Sequence, residues 1–230
     1  MTVLSTCLYL HGFASSPSSI KAQYFAAKLS SYGINVLLPD LNGDDFADLS
    51  LSSQLQIIDS LLSSADVGNP AFIVGSSLGG LLATIAAERY CSTKAVVLLA
   101  PAFGLPRRLV ELLGAEGLQS WRDSGYTEVF HHGRERMERL KYSFILDAEQ
   151  YVTDNLKVKV PALVFHGQHD DTVPVAESLS FACNNPEQVE LHLLESDHSL
   201  IDKLEEMWEA TYSFLCRQAL LLPGSPHKAG

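Results

Sequence analysis

The sequence predicts an α/β protein: a doubly wound, mostly parallel sheet of about six strands, carrying a helical lid insertion. Three observations lead there. Short runs rich in aliphatic and β-branched residues alternate with helical patterns along most of the 230 residues, the signature of βα units that assemble into a parallel sheet. Those runs are apolar nearly throughout instead of alternating with polar residues, as in strands covered by helices on both faces. One interval of about sixty residues breaks the rhythm, and a simple crossover needs far fewer.

The elements follow in order. Leu4–Leu10 reads as the first strand, Ser19–Ser31 as a helix, Ile34–Leu38 as a strand and Ser50–Ser64 as a helix. Ala71–Val74 is a short buried strand that runs into a helix over Leu78–Tyr90, and Ala95–Ala100 is the next strand. The irregular interval spans Pro101 to Val160, with helices expected at Leu105–Leu113 and Gly133–Ile145. Beyond it come the strand Ala162–His166, a helix over Val175–Cys183, the strand Val189–Leu194 and a last helix over Leu200–Ala219. Residues 1–222 are expected to form one domain with 101–160 as its lid, and the Pro- and Gly-containing tail 223–230, with no apolar anchor, is expected to be disordered. The interval 101–160 holds 9 of the 16 basic and 9 of the 27 acidic residues, so it is neutral while the remainder carries the entire net charge of −11. Its aromatic residues Trp121, Tyr126, Phe130, Tyr142 and Phe144 suit a cover over an apolar site.

Composition narrows the function classes. With 47% apolar and 19% charged residues the chain can bury one sizeable core. A net charge of −11 argues against nucleic acid and anionic membrane surfaces as partners, both of which select basic proteins. No apolar stretch reaches the ~18 residues of a membrane span. Cys7, Cys91, Cys183 and Cys216 are far apart and form no C-x-x-C, and with Cys7 and Cys91 in or beside apolar segments, buried reduced thiols are expected. The start of the chain runs straight into a strand pattern with no basic region and cleavage site before it. Together these predict a cytoplasmic protein.

The chemistry centres on Gly75-Ser76-Ser77-Leu78-Gly79-Gly80. A G-x-S-x-G sequence between a buried strand and a helix is a nucleophile elbow with Ser77 at its apex. The flanking glycines are needed because side chains there would collide with the neighbouring strand and helix, and the serine is expected in a strained conformation. A serine hydroxyl needs a base, and the base an orienting acid. In His166-Gly167-Gln168-His169-Asp170-Asp171-Thr172-Val173-Pro174, the spacing to Val-Pro selects Asp170 as the acid over its neighbour Asp171. In Glu195-Ser196-Asp197-His198, His198 stands at the end of the last strand, where the base belongs; Glu195 and Asp197 are too close in sequence to orient it, and His192 reads as a packed or edge residue. For the oxyanion, the backbone N–H of Leu78 is one expected donor, and that of Phe13, after the small Gly12, the other; His11 reads as a structural loop residue. A metal reading of His131, His132, His166 and His169 lacks H-E-x-x-H or cysteine support.

On these motifs the chain resembles the α/β-hydrolases. Tyr9-Leu10-His11-Gly12-Phe13-Ala14-Ser15-Ser16-Pro17 and Ile73-Val74-Gly75-Ser76-Ser77-Leu78-Gly79-Gly80 are similar to the small bacterial esterases of the YqiA type. The resemblance covers residues 3–218 in general and the first 90 most closely. The antiparallel hairpin that opens the larger family is missing, and the acid loop and the insertion look longer than in the YqiA type. The resemblance implies hydrolysis of a carboxylic ester of a small-molecule acyl substrate without metal or organic cofactor. Thioester or aminopeptidase-like amide hydrolysis would use the same triad, and a ligand-binding protein on a hydrolase scaffold is the non-enzymatic alternative.

Overall fold

A computed structural model describes residues 6–63, 71–105, 107–151, 155–222 and 224. The start of the first expected strand, Ser64 at the end of the second expected helix, Pro106, and the expected disordered tail apart from Gly224 lie outside the described residues.

Six strands form one sheet in the order β2-β1-β3-β4-β7-β8, every pairing parallel. They are β1 (Thr6–Leu10), β2 (Asn35–Leu37), β3 (Phe72–Ser76), β4 (Ala95–Leu99), β7 (Ala162–Gly167) and β8 (Val189–Leu194). Every residue of β1, β3, β4 and β7 is buried, which explains their unbroken apolar sequence. Helices α1 (Ile20–Ser31), α2 (Leu51–Ser63), α3 (Leu78–Arg89), α6 (Val175–Asn184) and α7 (Leu204–Arg217) cover the two faces.

Strand periodicity divides the core. Leu8, Leu10, Ile73, Val96, Leu98 and Val164 face α2 and α3, whereas Cys7, Tyr9, Phe72, Val74, Val97, Leu99, Leu163 and Phe165 face α1 and α7. Successive residues point to opposite faces, so each strand contributes to both cores. The register aligns the carboxyl ends: Leu10 lies opposite Gly75, Ser76 opposite Leu99, Leu99 opposite Phe165, and Gly167 opposite Leu194. The loops leaving β1, β3, β4, β7 and β8 therefore emerge along one edge.

The interval after β4 differs from its expected form. It contains α4 (Arg107–Ser124), an antiparallel hairpin of β5 (Tyr126–His131) and β6 (Arg136–Lys141), and α5 (Ser143–Ala148). The helix expected over Gly133–Ile145 is thus wrong for most of its length, and the insertion is mixed rather than helical. Arg, Glu, Met and Leu favour helix intrinsically, but Tyr126-Thr127-Glu128-Val129-Phe130-His131 supplies a β-rich partner, and pairing overrides propensity. The helix expected over Leu105–Leu113 instead runs on to Ser124, broken at Gly114, whose φ is +63°. Trp121 joins the parts: its indole N–H donates to the Leu140 carbonyl at 2.9 Å, and its ring meets Tyr142 edge-on.

Candidate active site

The turn from β3 to α3 is sterically forced. Ser77 has φ +54° and ψ −119°, a conformation that costs a residue with a Cβ free energy and persists only when its surroundings impose it. Here the Ser77 N–H donates to the Leu99 carbonyl at 2.9 Å, while the Ser77 carbonyl accepts from Gly80 at 2.9 Å and Ala102 at 3.1 Å. A Cβ on Gly79 would run into the Leu10 and His11 carbonyls, and one on Gly75 into Gly79. Only glycine permits both approaches, and the hydroxyl is left standing clear of the sheet edge.

Ser77 meets His198 there. The His198 ring presents Nε2 at 3.1 Å from Ser77 Oγ and Nδ1 at 2.7 Å from Asp170 Oδ2. A carboxylate at Nδ1 requires the proton on that nitrogen, which leaves Nε2 to accept from the serine hydroxyl. The structure brings together residues 121 and 28 positions apart in the chain.

Asp170 is held by more than His198. Its side chain is fully buried. Oδ1 accepts the N–H groups of Val173 at 2.7 Å and Thr172 at 2.9 Å, and Oδ2 lies 3.2 Å from His166 Nε2. Burial alone would raise its pKa, but the hydrogen bonds from His166, His198 and Val173 hold the carboxyl far below the usual range. Asp171, the neighbouring alternative, is exposed and accepts the Thr172 hydroxyl at 3.2 Å.

His166 is the site-supporting residue that the sequence reading missed. It is fully buried at the end of β7, with Nε2 also 2.9 Å from the Val173 carbonyl and Nδ1 2.7 Å from Ser178 Oγ. Two oxygen acceptors at Nε2 place the proton there, so Nδ1 accepts from the Ser178 hydroxyl. The signal was present as a histidine four residues before the acid, with a polar residue on the following helix.

The other polar residues divide as follows. His11 is buried, with Nδ1–H donating to the Gly12 carbonyl and Nε2 accepting from the Leu41 N–H, both at 2.9 Å. It ties the loop after β1 to the chain after β2. His192 pairs with Glu190 at 2.8 Å and packs on Phe165, and His169 pairs with Glu195 at the surface. His131 is buried under the hairpin and accepts from the Arg134 N–H at 3.1 Å. Among the described residues no three histidine, cysteine or acidic side chains are grouped to hold a metal, and no helix is long and apolar enough to cross a membrane.

The loop after β1 closes on the serine. A Cβ added to Gly12 would stand 3.2 Å from Ser77 Cβ and 3.8 Å from Ser77 Oγ, so the backbone leading into Phe13 passes directly beside the hydroxyl. Leu78 begins α3 immediately after Ser77. The Phe13 ring lies between Phe46, at 5.8 Å, and Phe144 of α5, at 5.5 Å. The inserted segment therefore reaches the loop beside Ser77. It is fastened nearby by the Ser52 N–H donating to Asp147 at 2.9 Å and by Ser52 and Tyr151 hydroxyls 2.8 Å apart.

Residues 6–216 match the model of UPF0227, described as an uncharacterised protein family. The chain matches no curated protein. Among solved structures, it resembles alpha/beta hydrolase domain-containing protein 10 from mouse with a TM-score of 0.77 at 25% identity, covering 93% of this chain and 90% of that one. Est1E from Butyrivibrio proteoclasticus, solved with ferulic acid, gives a TM-score of 0.77 at 23% identity over 94% and 89%. A monoacylglycerol lipase from Paleococcus ferrophilus gives 0.73 at 17% identity over 93% and 94%. The fold is that of the α/β-hydrolases.

Proposed function

The chain belongs to the UPF0227 (YqiA-like) family, and from that premise we propose that it is a serine hydrolase that cleaves a carboxylic ester through an acyl-enzyme on Ser77. The observation that carries the reading is His198, which bridges Ser77 Oγ and the buried Asp170 carboxylate through its two ring nitrogens. A positive-φ serine in a glycine-walled turn supports the same role.

The chemistry then runs as acyl transfer. Ser77 Oγ attacks the ester carbonyl carbon while its proton passes to His198 Nε2. Asp170 keeps the other proton on Nδ1 and stabilises the imidazolium. The carbonyl oxygen, now negative, is held by the N–H groups of Phe13 and Leu78, aided by the positive end of α3. Collapse returns the carbonyl and expels the alcohol, which takes the proton from Nε2. Water attacks the acyl-enzyme by the same steps in reverse order, freeing the acid and Ser77. The scheme calls for neither metal nor cofactor.

Residues 101–160 serve as the lid in this reading. Phe144 against Phe13 supports a wall shared between the inserted segment and the oxyanion loop, where it would shape the acyl pocket. A fluorophosphonate probe tests the central claim. It should label the parent at Ser77 and leave Ser77→Ala unlabelled, and absence of labelling in the parent would overturn the reading. Short p-nitrophenyl esters, acyl thioesters and amino-acyl amides then separate ester hydrolysis from its two neighbours.

A further inference from the structure

The root of the inserted segment, up to the break in α4 at Gly114, is fastened to the residues that hold Asp170. The chain leaves β4 with the Ala102 N–H donating to the Ser77 carbonyl at 3.1 Å. The Phe103 ring then lies against Phe181 of α6, with centroids 4.4 Å apart. The Gly104 N–H donates to the Glu177 carboxylate of α6 at 2.6 Å, and a Cβ on Gly104 would run into that carboxylate. At the start of α4 the Arg108 guanidinium donates to the Thr172 carbonyl. Its neighbour Arg107 reaches Glu111 at 3.8 Å.

The Arg108 contact falls on a particular peptide group. The Thr172 carbonyl and the Val173 N–H belong to the same planar unit, and that N–H donates to Asp170 Oδ1 at 2.7 Å. The Thr172 N–H reaches the same oxygen at 2.9 Å. On the far side of the carboxylate, His198 Nδ1 lies 2.7 Å from Oδ2. One peptide unit therefore accepts from Arg108 at one end and donates to Asp170 at the other. The second anchor, Glu177, stands next to Ser178, whose hydroxyl holds the His166 ring beside Oδ2. The root thus grips the chain between Thr172 and Ser178 at both ends, and that stretch supplies two donors to Asp170 and both the carbonyl and the hydroxyl that hold His166.

Resting on the serine-hydrolase reading, we propose that Arg108 is a positioning residue: it fixes and polarises the Thr172–Val173 peptide, and through it the Asp170 carboxylate that orients His198. A peptide unit is planar, so holding its carbonyl also sets the direction of its N–H. A charged donor on the carbonyl makes that N–H a stronger donor in turn, because hydrogen bonds in a chain polarise one another. The root before Gly114 then belongs with the catalytic edge, while the hairpin and α5 beyond it form the cover. Placement of the insertion and orientation of the acid meet at one side chain.

The test measures kcat and KM on a short p-nitrophenyl ester together with the rate of Ser77 labelling by a small fluorophosphonate. Arg108→Met keeps the stem and removes the donor. It should lower kcat and the labelling rate about fivefold, the size of one hydrogen bond from a charged group, with KM within about twofold of the parent. Arg108→Lys keeps a charged donor and should recover most of that loss, and Arg107→Met, which removes the neighbouring charge, should match the parent. Added to Asp170→Asn, Arg108→Met should change the labelling rate by less than about twofold, because the carboxylate it orients is already gone. The same loss in both backgrounds would show general structural support and overturn the inference. A rise in KM with kcat unchanged, or no effect of Arg108→Met, would overturn it too. If Arg108→Met does not fold, Glu177→Met frees the Gly104 anchor and with it the turn that carries Arg108, and the same comparison in the two backgrounds decides. Failure of the parent to label overturns the hydrolase reading itself, so the two failures are distinct.

Discussion

The central strands and the inserted hairpin are similar in length but differ in surroundings. In β3, β4 and β7 every residue is buried, whereas in β5 and β6 only His131 and Leu140 are. Ser77 and Asp170 hang from the ends of the first group, locked by backbone hydrogen bonds to Leu99, Val173 and Thr172. Phe144, which the inserted segment sets against Phe13, belongs to a unit that leaves Leu112 68%, Met137 53% and Phe130 47% exposed. A dense, doubly covered sheet fixes reacting groups within fractions of an ångström. A half-covered unit fastened by a few contacts can change shape or sequence at small cost. On the proposed reading, the division would let the site keep its chemistry while the substrate pocket varies.

The sharpest way to break that comparison is to remove chemistry from the rigid region. Ser77→Ala should lower ester hydrolysis on the order of 10³-fold or more, leaving only binding and oxyanion stabilisation. Thermal unfolding should be nearly unchanged, since the backbone bonds that shape the turn remain. Retention of about half the parent rate would refute the assignment of Ser77.

Next in size is the acid. Asp170→Asn should cost orders of magnitude in turnover by removing the carboxylate that fixes the His198 tautomer, while Asp171→Asn should cost little. Reversed results would mean the acid loop is misread by one residue. The same substitution has a signature in pH. Asp170 has a folded pKa depressed below its unfolded value, so its stabilisation is complete above the unfolded value of ~3.9 and is lost as pH falls through the folded one. Melting temperatures between about pH 5 and pH 2 should therefore fall more steeply for the parent than for Asp170→Asn.

A smaller effect belongs to His166. Replacement by leucine leaves the Ser178 hydroxyl and Val173 carbonyl without partners and removes one donor from Asp170. The expected loss is about 2–3 kcal/mol of stability, with turnover reduced roughly tenfold because His198 and the Asp170–His198 bond persist. Urea unfolding together with kcat separates the two. A stability loss with turnover unaffected would make His166 a core residue alone.

These residues also show what the sequence made legible. Strands buried on both faces announce themselves as apolar runs, and loops at their carboxyl ends follow from the parallel order, which is why Ser77, Asp170 and His198 could be picked by position. His166 escaped because a buried histidine in an apolar strand looks the same whether it fills space or holds a carboxylate. The hairpin escaped for a different reason. Arg136-Met137-Glu138-Arg139-Leu140-Lys141 has one buried residue, Leu140, so no face is marked by period, and local propensity pointed to a helix. Its strand character comes from Tyr126–His131 across the ladder, a relation no local window contains.

The smallest effect on the reaction itself should come from loosening the inserted segment where it meets the rigid part. Phe144 is fully buried and packs on Phe13, so Phe144→Ala removes a core ring, a change that costs about 3–5 kcal/mol where the gap cannot close. Here the loss falls first on the contact between the inserted segment and the loop after β1, in a core that Phe144 shares with Leu8, Leu10 and Ile73. Fluorophosphonate labelling of Ser77 should stay within about twofold of the parent, because the probe is small and the triad is untouched. The preference among esters of increasing acyl length should broaden or shift, since the wall that limits the pocket has moved. Phe130→Ala is the matched control: its ring is exposed on the same segment, and its removal should change stability by no more than about 0.5 kcal/mol and leave the ester profile alone. If Phe144→Ala folds and keeps the ester profile of the parent, the inserted segment plays no part in selecting substrate. If it slows labelling as much as ester hydrolysis, the segment supports the reacting groups, and the division between a rigid catalytic edge and an adaptable cover fails.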